Sequence, residues 1–559
     1  MKVVSKSTKY YFTTATTVIL LALNLYVVKA LVIFGSPMLF AIALLVEVIL
    51  LSVFLYNLIR SLATPENILK SLAVSVWGGL TTNDYVKQLS KSKSPLLIWG
   101  SRRLKRNNPY GLPLTVTFLI VAFFLVNFLG VLITVVSKGS LTQIDTRVLN
   151  LMPSIRTPIQ TSFFRVVTTL ANTQTTILLM ITTVTVFWAK HQRRLAGLVI
   201  VVVAGEETIT YVIKNLVHRM RPELALGLIR EDSYSFPSGH AVRATVLFGL
   251  LAYLIYKSYK SAKARIITIG TYVLTVFFVA ISRIYLGVHY PTDVWGSILL
   301  GGAMLAVVIG TVEISSRYEK VGDRKLELNN KIVLIIPGLL AVFALVASPF
   351  LVPIQQVITT PTSITLQTID ENTIQKLPLY SETLTGSRME PINFIYVGYE
   401  NQLVSTFVNH GWYRADKSTI SNTLRALAVG FQGQQYLTAP VTPSYLNYKP
   451  ENIAFQQSTA THSLKQRHHT RLWRTDYALP DGRPIWVGTA SFDEGIEFAG
   501  AAKLPTHHID PNIDGERNFI IKSLGLQSNL VTVVQPQLGK NASGDDFFTD
   551  GKAALIFLK

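Results

Sequence analysis

The sequence predicts a polytopic α-helical membrane protein with a soluble α+β domain at its carboxy end. Of the 559 residues 49% are hydrophobic, and several apolar runs reach about 20 residues, the length that crosses a hydrocarbon core. Basic residues gather between those runs on alternate connections. From residue 353 the long apolar runs stop, and short β-rich pieces separated by turn residues begin.

The apolar runs place nine membrane segments, at 11–34, 37–59, 113–136, 174–189, 195–213, 240–256, 266–281, 294–313 and 332–352. The first is longer than a signal-peptide core and has no clear cleavage site, so it reads as a retained anchor. No internal repeat stands out. The connection from 60 to 112 holds nine basic residues. Smaller basic clusters lie at the amino terminus and near 190–194, 257–265 and 317–325. Positive charge stays on the cytoplasmic side of a membrane. The amino terminus is therefore expected in the cytoplasm, and the connections 214–239 and 282–293 and everything after 353 outside it.

The formal net charge of +20 does not point to nucleic acid. From residue 353 onward there are 17 basic and 18 acidic residues, against 35 and 14 before it, so the excess follows topology. Zero cysteines exclude disulfides, thiolate metal sites and a cysteine nucleophile. The tail contains NFIYVGY, PIWVGTASF and NLVTVVQ, with a periodic run at 417–430 that fits a helix. The expected divisions are membrane helices with a basic connection (1–112), a membrane core (113–313), a linker with the ninth helix (314–352) and an extracytoplasmic domain (353–559).

Three polar stretches reach the same membrane face: KNLVHRMRP (214–222), SFPSGH (235–240) and SRIYLGVHYPTD (282–293). Lys214, Arg221 and Arg283 supply fixed cations for a group with several negative oxygens. Ser238 and Gly239 lead into a helix at His240, whose free N–H groups and positive end suit an anion. Asp293 follows His289 by four residues after Pro291, a spacing that lets the carboxylate orient the imidazole. His289 is then the candidate nucleophile toward phosphorus, and His240 the acid that protonates the departing oxygen and later activates water. The cations stabilise charge on the equatorial oxygens. No metal or other cofactor is expected.

These stretches, K-x6-R-P, P-S-G-H and S-R-x5-H-x3-D, closely resemble the three signatures of the type 2 phosphatidic acid phosphatase superfamily. The resemblance spans about 113–313. It implies a six-helix phosphatase core, a phosphohistidine on His289 and metal independence. The tail, through RHHTRLW, VGTAS and HHIDPNIDGERNFI, resembles the LssY-like carboxy-terminal domain, which adds no catalytic role.

The expected activity is hydrolysis of a phosphate ester or pyrophosphate on a lipid. Polyprenyl pyrophosphate, phosphatidic acid and phosphatidylglycerol phosphate are the candidates, at the outer face of a cell membrane. Transfer of the phosphoryl group to a second acceptor is the alternative. A transporter that binds lipid phosphate, and an adhesion module anchored by the membrane part, are more distant ones. The bilayer and a lipid phosphate are the expected partners, nucleic acid is not, and an envelope partner for the tail is left open.

Other polar residues have plainer readings. His218 and Arg219, at positions the first signature leaves open, read as a solvated loop, with contact to substrate as the alternative. Glu206 or Glu207 is expected to pair with Arg243, one turn below His240, beneath the phosphate site. His462, His468, His469, His507 and His508, with Asp510 and Asp514, lack a diagnostic metal-ligand spacing. Trp412, Trp473 and Trp486 read as core.

Overall fold

The computed structural model describes residues 110–559 apart from 224–225, 260, 319–329, 355–362, 433, 460–465, 500–503, 543 and 559, with scattered positions before 110. The expected segments 11–34 and 37–59, and His462, lie outside the described residues. The chain divides into two compact units, one holding 158–356 and the helix before residue 141, the other holding 142–157 and the tail from 357.

The helices run α1 (Leu112–Val136), α2 (Ser140–Ile155), α3 (Pro158–Thr169), α4 (Thr173–Ala189), α5 (Arg193–Val217), α6 (Gly239–Ser258), α7 (Ala262–Tyr285), α8 (Pro291–Tyr318) and α9 (Asn330–Leu351). Five of them, α1 and α5 to α8, are long and apolar enough to cross a membrane. The pair α3 and α4, bent by 45°, makes a sixth span if counted as one. The protein is therefore a multi-pass membrane protein. Each expected segment from 113 onward falls on one of these helices. The short helix α3 was not expected, because its polar residues interrupt the apolar run.

In the membrane unit α6 is central, packed against α5, α7 and α8, while α1 lies along α8 and α9 against α3 and α4. Phe128, Phe236, Val242, Val246, Leu299 and Leu300 form the buried centre. Lipid offers apolar surface as good as another helix, so close backbone approach has to hold the helices together. Two glycines of α8 provide it. A Cβ at Gly301 would come within 2.7 Å of Thr245, and one at Gly302 within 2.6 Å of the Phe124 ring.

The second unit is a sheet domain with α2 as an outlying member. Its main strands are β1 (Phe394–Val397), β2 (Tyr413–Arg414), β3 (Ile453–Ser458), β4 (Arg467–Ala478), β5 (Pro484–Ala499), β6 (Asn529–Thr532) and β7 (Lys552–Phe557), in spatial order β6-β7-β1-β5-β4-β3-β2. Two more strands pair at the margins, and β1 and β7 run parallel. Side chains alternate across the sheet. Phe394, Tyr396 and Trp486 meet α10 (Glu400–Asn409) and α12 (Ile513–Ser523) through Phe407 and Ile520. Ile395, Val397, Val487 and Trp473 build a second cluster with Ile374 and Leu446. Trp412, Trp473 and Trp486 are all buried. The expected helix is α11 (Ile420–Gln432).

Amphipathic α2 buries Arg147, which ion-pairs with Glu382 at 2.5 Å and lies 4.5 Å from the centre of the Tyr448 ring. Asn150 donates to the Tyr448 carbonyl at 2.9 Å. Among the described residues no three His, Cys, Asp or Glu side chains group as a metal site. His468 instead meets Glu516 at 2.8 Å, and His508 meets Asp545 at 2.8 Å.

Candidate active site

The three signature loops close over one end of the membrane helices. Helix α5 ends at His218, whose φ of 50° turns the chain out of the helix. Helix α6 starts at Gly239 behind Ser238 as its N-cap. Helix α8 starts at Pro291, with Asp293 in the first turn, where a carboxylate suits the helix dipole. The loops also bond to one another. Ser235 N–H donates to the Arg219 carbonyl at 2.8 Å, and Leu228 N–H to the Leu286 carbonyl at 2.8 Å. Gly287 has φ of 75°, and a Cβ there would come within 2.9 Å of the Gly227 Cα, so only glycine lets the loops touch.

A cavity of about 340 Å³ opens between them, lined in part by Lys214, Glu231, Gly239, His240 and Arg283. Arg221 donates to the Val288 carbonyl at 2.7 Å, and its Nη1 lies 3.2 Å from His289 Nε2. Lys214 donates to Ser233 Oγ at 2.8 Å. Arg283, fully buried, donates to Thr168 Oγ1 at 2.7 Å, while its Nε finds no hydrogen-bond partner among the described residues. The Ser238 hydroxyl is likewise buried and without a partner. A buried donor left unmade costs stability and marks a place for a ligand. The backbone N–H of Ser238 is not free as expected, because it donates to Ser297 Oγ at 2.7 Å.

His289 is buried with its two nitrogens facing different groups. Nε2 faces Arg221, and Nδ1 lies 3.4 Å from Asp293 Oδ2. Burial, then the Arg221 cation, push the imidazole down to about 3 against the pull of Asp293, so the ring is neutral near pH 7. A neutral ring keeps a lone pair on Nε2. His240 Nε2 lies 2.6 Å from Asn172 Oδ1 at the α3–α4 break, so Asn172 accepts from that nitrogen.

All eight residues singled out by sequence thus gather in this region. Four others were missed. Glu231 ion-pairs with Arg221 at 2.7 Å and with Arg283. Burial alone would raise its carboxyl, yet Arg283, His240 and Arg221 hold it well below the usual carboxylate range. Ser235 donates to Asp293 Oδ2. Asn172 holds His240 from 68 residues away in sequence. Arg219, expected in a solvated loop, is mostly buried and ion-pairs with Asp293 Oδ1 at 2.5 Å. Ser235 opens the SFPSGH stretch, and Arg219 also left a signal: an extended chain turns successive residues to opposite sides, so Arg219, two positions before Arg221, shares its side. The pair beneath the site is Glu207 with Arg243, joined by both carboxylate oxygens and half sheltered, while buried Glu206 lies 3.5 Å from Thr210 Oγ1.

Fold and site together define a membrane protein with a pocket lined by Lys214, Arg243 and Arg283 at one end of its helices and the neutral imidazole of His289 close to it. Residues 195–316 match the PAP2 superfamily, and residues 374–553 match the LssY C-terminus. Phosphatidylglycerophosphatase B of Bacillus subtilis is 36% identical over 127 residues, 22% of this chain and 62% of that protein. Decaprenylphosphoryl-5-phosphoribose phosphatase of Mycobacterium tuberculosis is 35% identical over 103 residues, 18% of this chain and 51% of that protein. The chain thus spans between half and two thirds of these relatives' length. The crystal structure of a transmembrane PAP2-type phosphatidylglycerolphosphate phosphatase from Bacillus subtilis aligns with 36% of this chain and 99% of its own, at 24% identity and a TM-score of 0.34.

Proposed function

We propose that the chain is a lipid phosphatase that works through a phosphohistidine on His289. One observation carries this reading: His289 Nε2 faces Arg221, beside a cavity lined by Lys214, Arg283 and His240, while Nδ1 faces Asp293. Nε2 attacks phosphorus as the bond to the lipid oxygen breaks, and that oxygen takes a proton from His240. Water then gives a proton to His240 and attacks phosphorus, the P–N bond breaks, and phosphate leaves. Lys214, Arg221 and Arg283 neutralise the equatorial oxygens, and the unpartnered Ser238 hydroxyl donates to one of them. The cations supply charge stabilisation without a metal.

The substrate is a phosphate monoester or pyrophosphate borne by a lipid, as both relatives' names suggest for those proteins. The alternating basic connections place the pocket and the tail outside the cytoplasm. The test is phosphate release by purified protein from phosphatidic acid, phosphatidylglycerol phosphate and a polyprenyl pyrophosphate. His289→Ala should abolish release from every lipid while leaving a folded protein. Undiminished release by that variant would sink the assignment.

A further inference from the structure

Two arginines of one short stretch flank the same imidazole. Arg221 meets the ring at Nε2, where phosphorus would bind. Arg219, two residues earlier, meets Asp293, the carboxylate at Nδ1. Arg219 is firmly placed. It donates to Thr292 Oγ1 at 2.7 Å, its guanidinium lies 4.2 Å from the centre of the Tyr290 ring, and its carbonyl accepts from Ser235 N–H. The two carboxylate oxygens divide their partners. Oδ1 takes Arg219, while Oδ2 takes Ser235 Oγ and the Tyr290 N–H at 2.9 Å and faces His289.

We propose that Arg219 is a positioning residue that balances formation of the phosphohistidine against its hydrolysis. The inference rests on the proposed function. A fully charged Asp293 pushes electron density through Nδ1–H into the ring, which makes Nε2 a better nucleophile. The same push makes imidazole a poorer leaving group when water attacks and the P–Nε2 bond breaks. A guanidinium at 2.5 Å from Oδ1 draws off part of that charge, in a buried site where charges act strongly. With Arg219 in place neither step is favoured at the other's expense.

The experiment is quenched-flow turnover of full-length protein in detergent with dioctanoyl phosphatidic acid carrying 32P. Base-stable, acid-labile label on the protein reports the phosphohistidine. Arg219→Met should lower kcat by on the order of tenfold, the usual scale for a supporting partner, and lower KM with it, because kcat/KM follows the first step, which the variant does not slow. Steady-state label should rise on the order of tenfold, because the second step slows while the first does not. Arg219→Lys should restore most of kcat and return the label toward the wild-type level. Vanadate inhibition shows that each variant keeps its site, and a merely structural role would not raise the label. The inference is overturned if label falls together with kcat in Arg219→Met, or if Lys and Met behave alike. A wild-type chain that releases phosphate without His289-dependent label overturns the proposed mechanism, and the inference with it.

Discussion

Glu207→Gln removes the carboxylate that takes two hydrogen bonds from Arg243, one of them at 3.0 Å, one helical turn below His240. The Arg243 side chain is 11% exposed and Glu207 40% exposed, so the pair is half sheltered. Breaking a fully buried pair from one side costs about 3–5 kcal/mol. Exposure of Glu207, and the bond from Arg243 to the Ala171 carbonyl at 3.1 Å, reduce that to about 2 kcal/mol. On a unit of this size such a loss lowers Tm by about 4–8 °C. Arg243→Met should cost a similar amount, and the double variant less than the sum of the two. Thermal unfolding in detergent with parallel phosphate release measures the cycle. The same cycle with Glu206 should show a weaker coupling, since Glu206 bonds within its own helix to Thr210 and meets Arg243 only through space. Additive losses for Glu207 and Arg243 would refute the pairing as an energetic unit.

Asp293→Asn should leave a small remainder of activity, several kcal/mol above the wild-type barrier by analogy with other Asp–His partners, so kcat near wild type would remove Asp293 from the mechanism. His289 titrates near 3 when folded and near 6.5 when unfolded, so the unfolded chain binds the extra proton between those values. Stability should therefore fall as pH drops from 6.5 toward 3, and His289→Gln should flatten that slope in urea titrations at several pH values. Phosphate release should survive EDTA and be inhibited by vanadate; loss on chelation that magnesium or zinc restores would contradict a cation-only site. A reporter that fluoresces only in the cytoplasm, fused after Lys559, should stay dark, and a bright fusion would place the pocket on the cytoplasmic side.

Much of this architecture is legible in the sequence because the bilayer imposes its own length. Every apolar run of about 20 residues from 113 onward became a helix. Helix α2 escaped notice because burying Asp145 and Arg147 makes it look like a loop until Glu382 and Tyr448 are placed beside it. In the pocket, the cations and both histidines were readable because costly charges in apolar surroundings point to use. The Glu207–Arg243 pair followed from helical spacing. Asn172 had no such spacing to betray it, since it reaches His240 only after the chain has crossed the membrane, and Glu231 sits in an irregular loop that gives no periodic relation to Arg221 or Arg283. The burial of Arg219 was not legible because its partners Thr292 and Asp293 lie far along the chain, while Met220 beside it is exposed.

The bonds that join the signature loops to one another also set how the pocket meets a changing bilayer. When lipid chains lengthen or shorten, transmembrane helices answer by tilting, and α5, α6 and α8 need not tilt alike. The Ser235–Arg219 and Leu228–Leu286 bonds, the Gly287 contact and the grip of Arg221 on the Val288 carbonyl span the loops above those helices. Tilt at the helix ends then moves the loops as one plate, and the spacing of His289, Asp293 and the cations travels with it. On the proposed function, turnover at saturating substrate should consequently vary little between vesicles of short-chain and long-chain lipid, so membrane thickness can change without retuning the pocket.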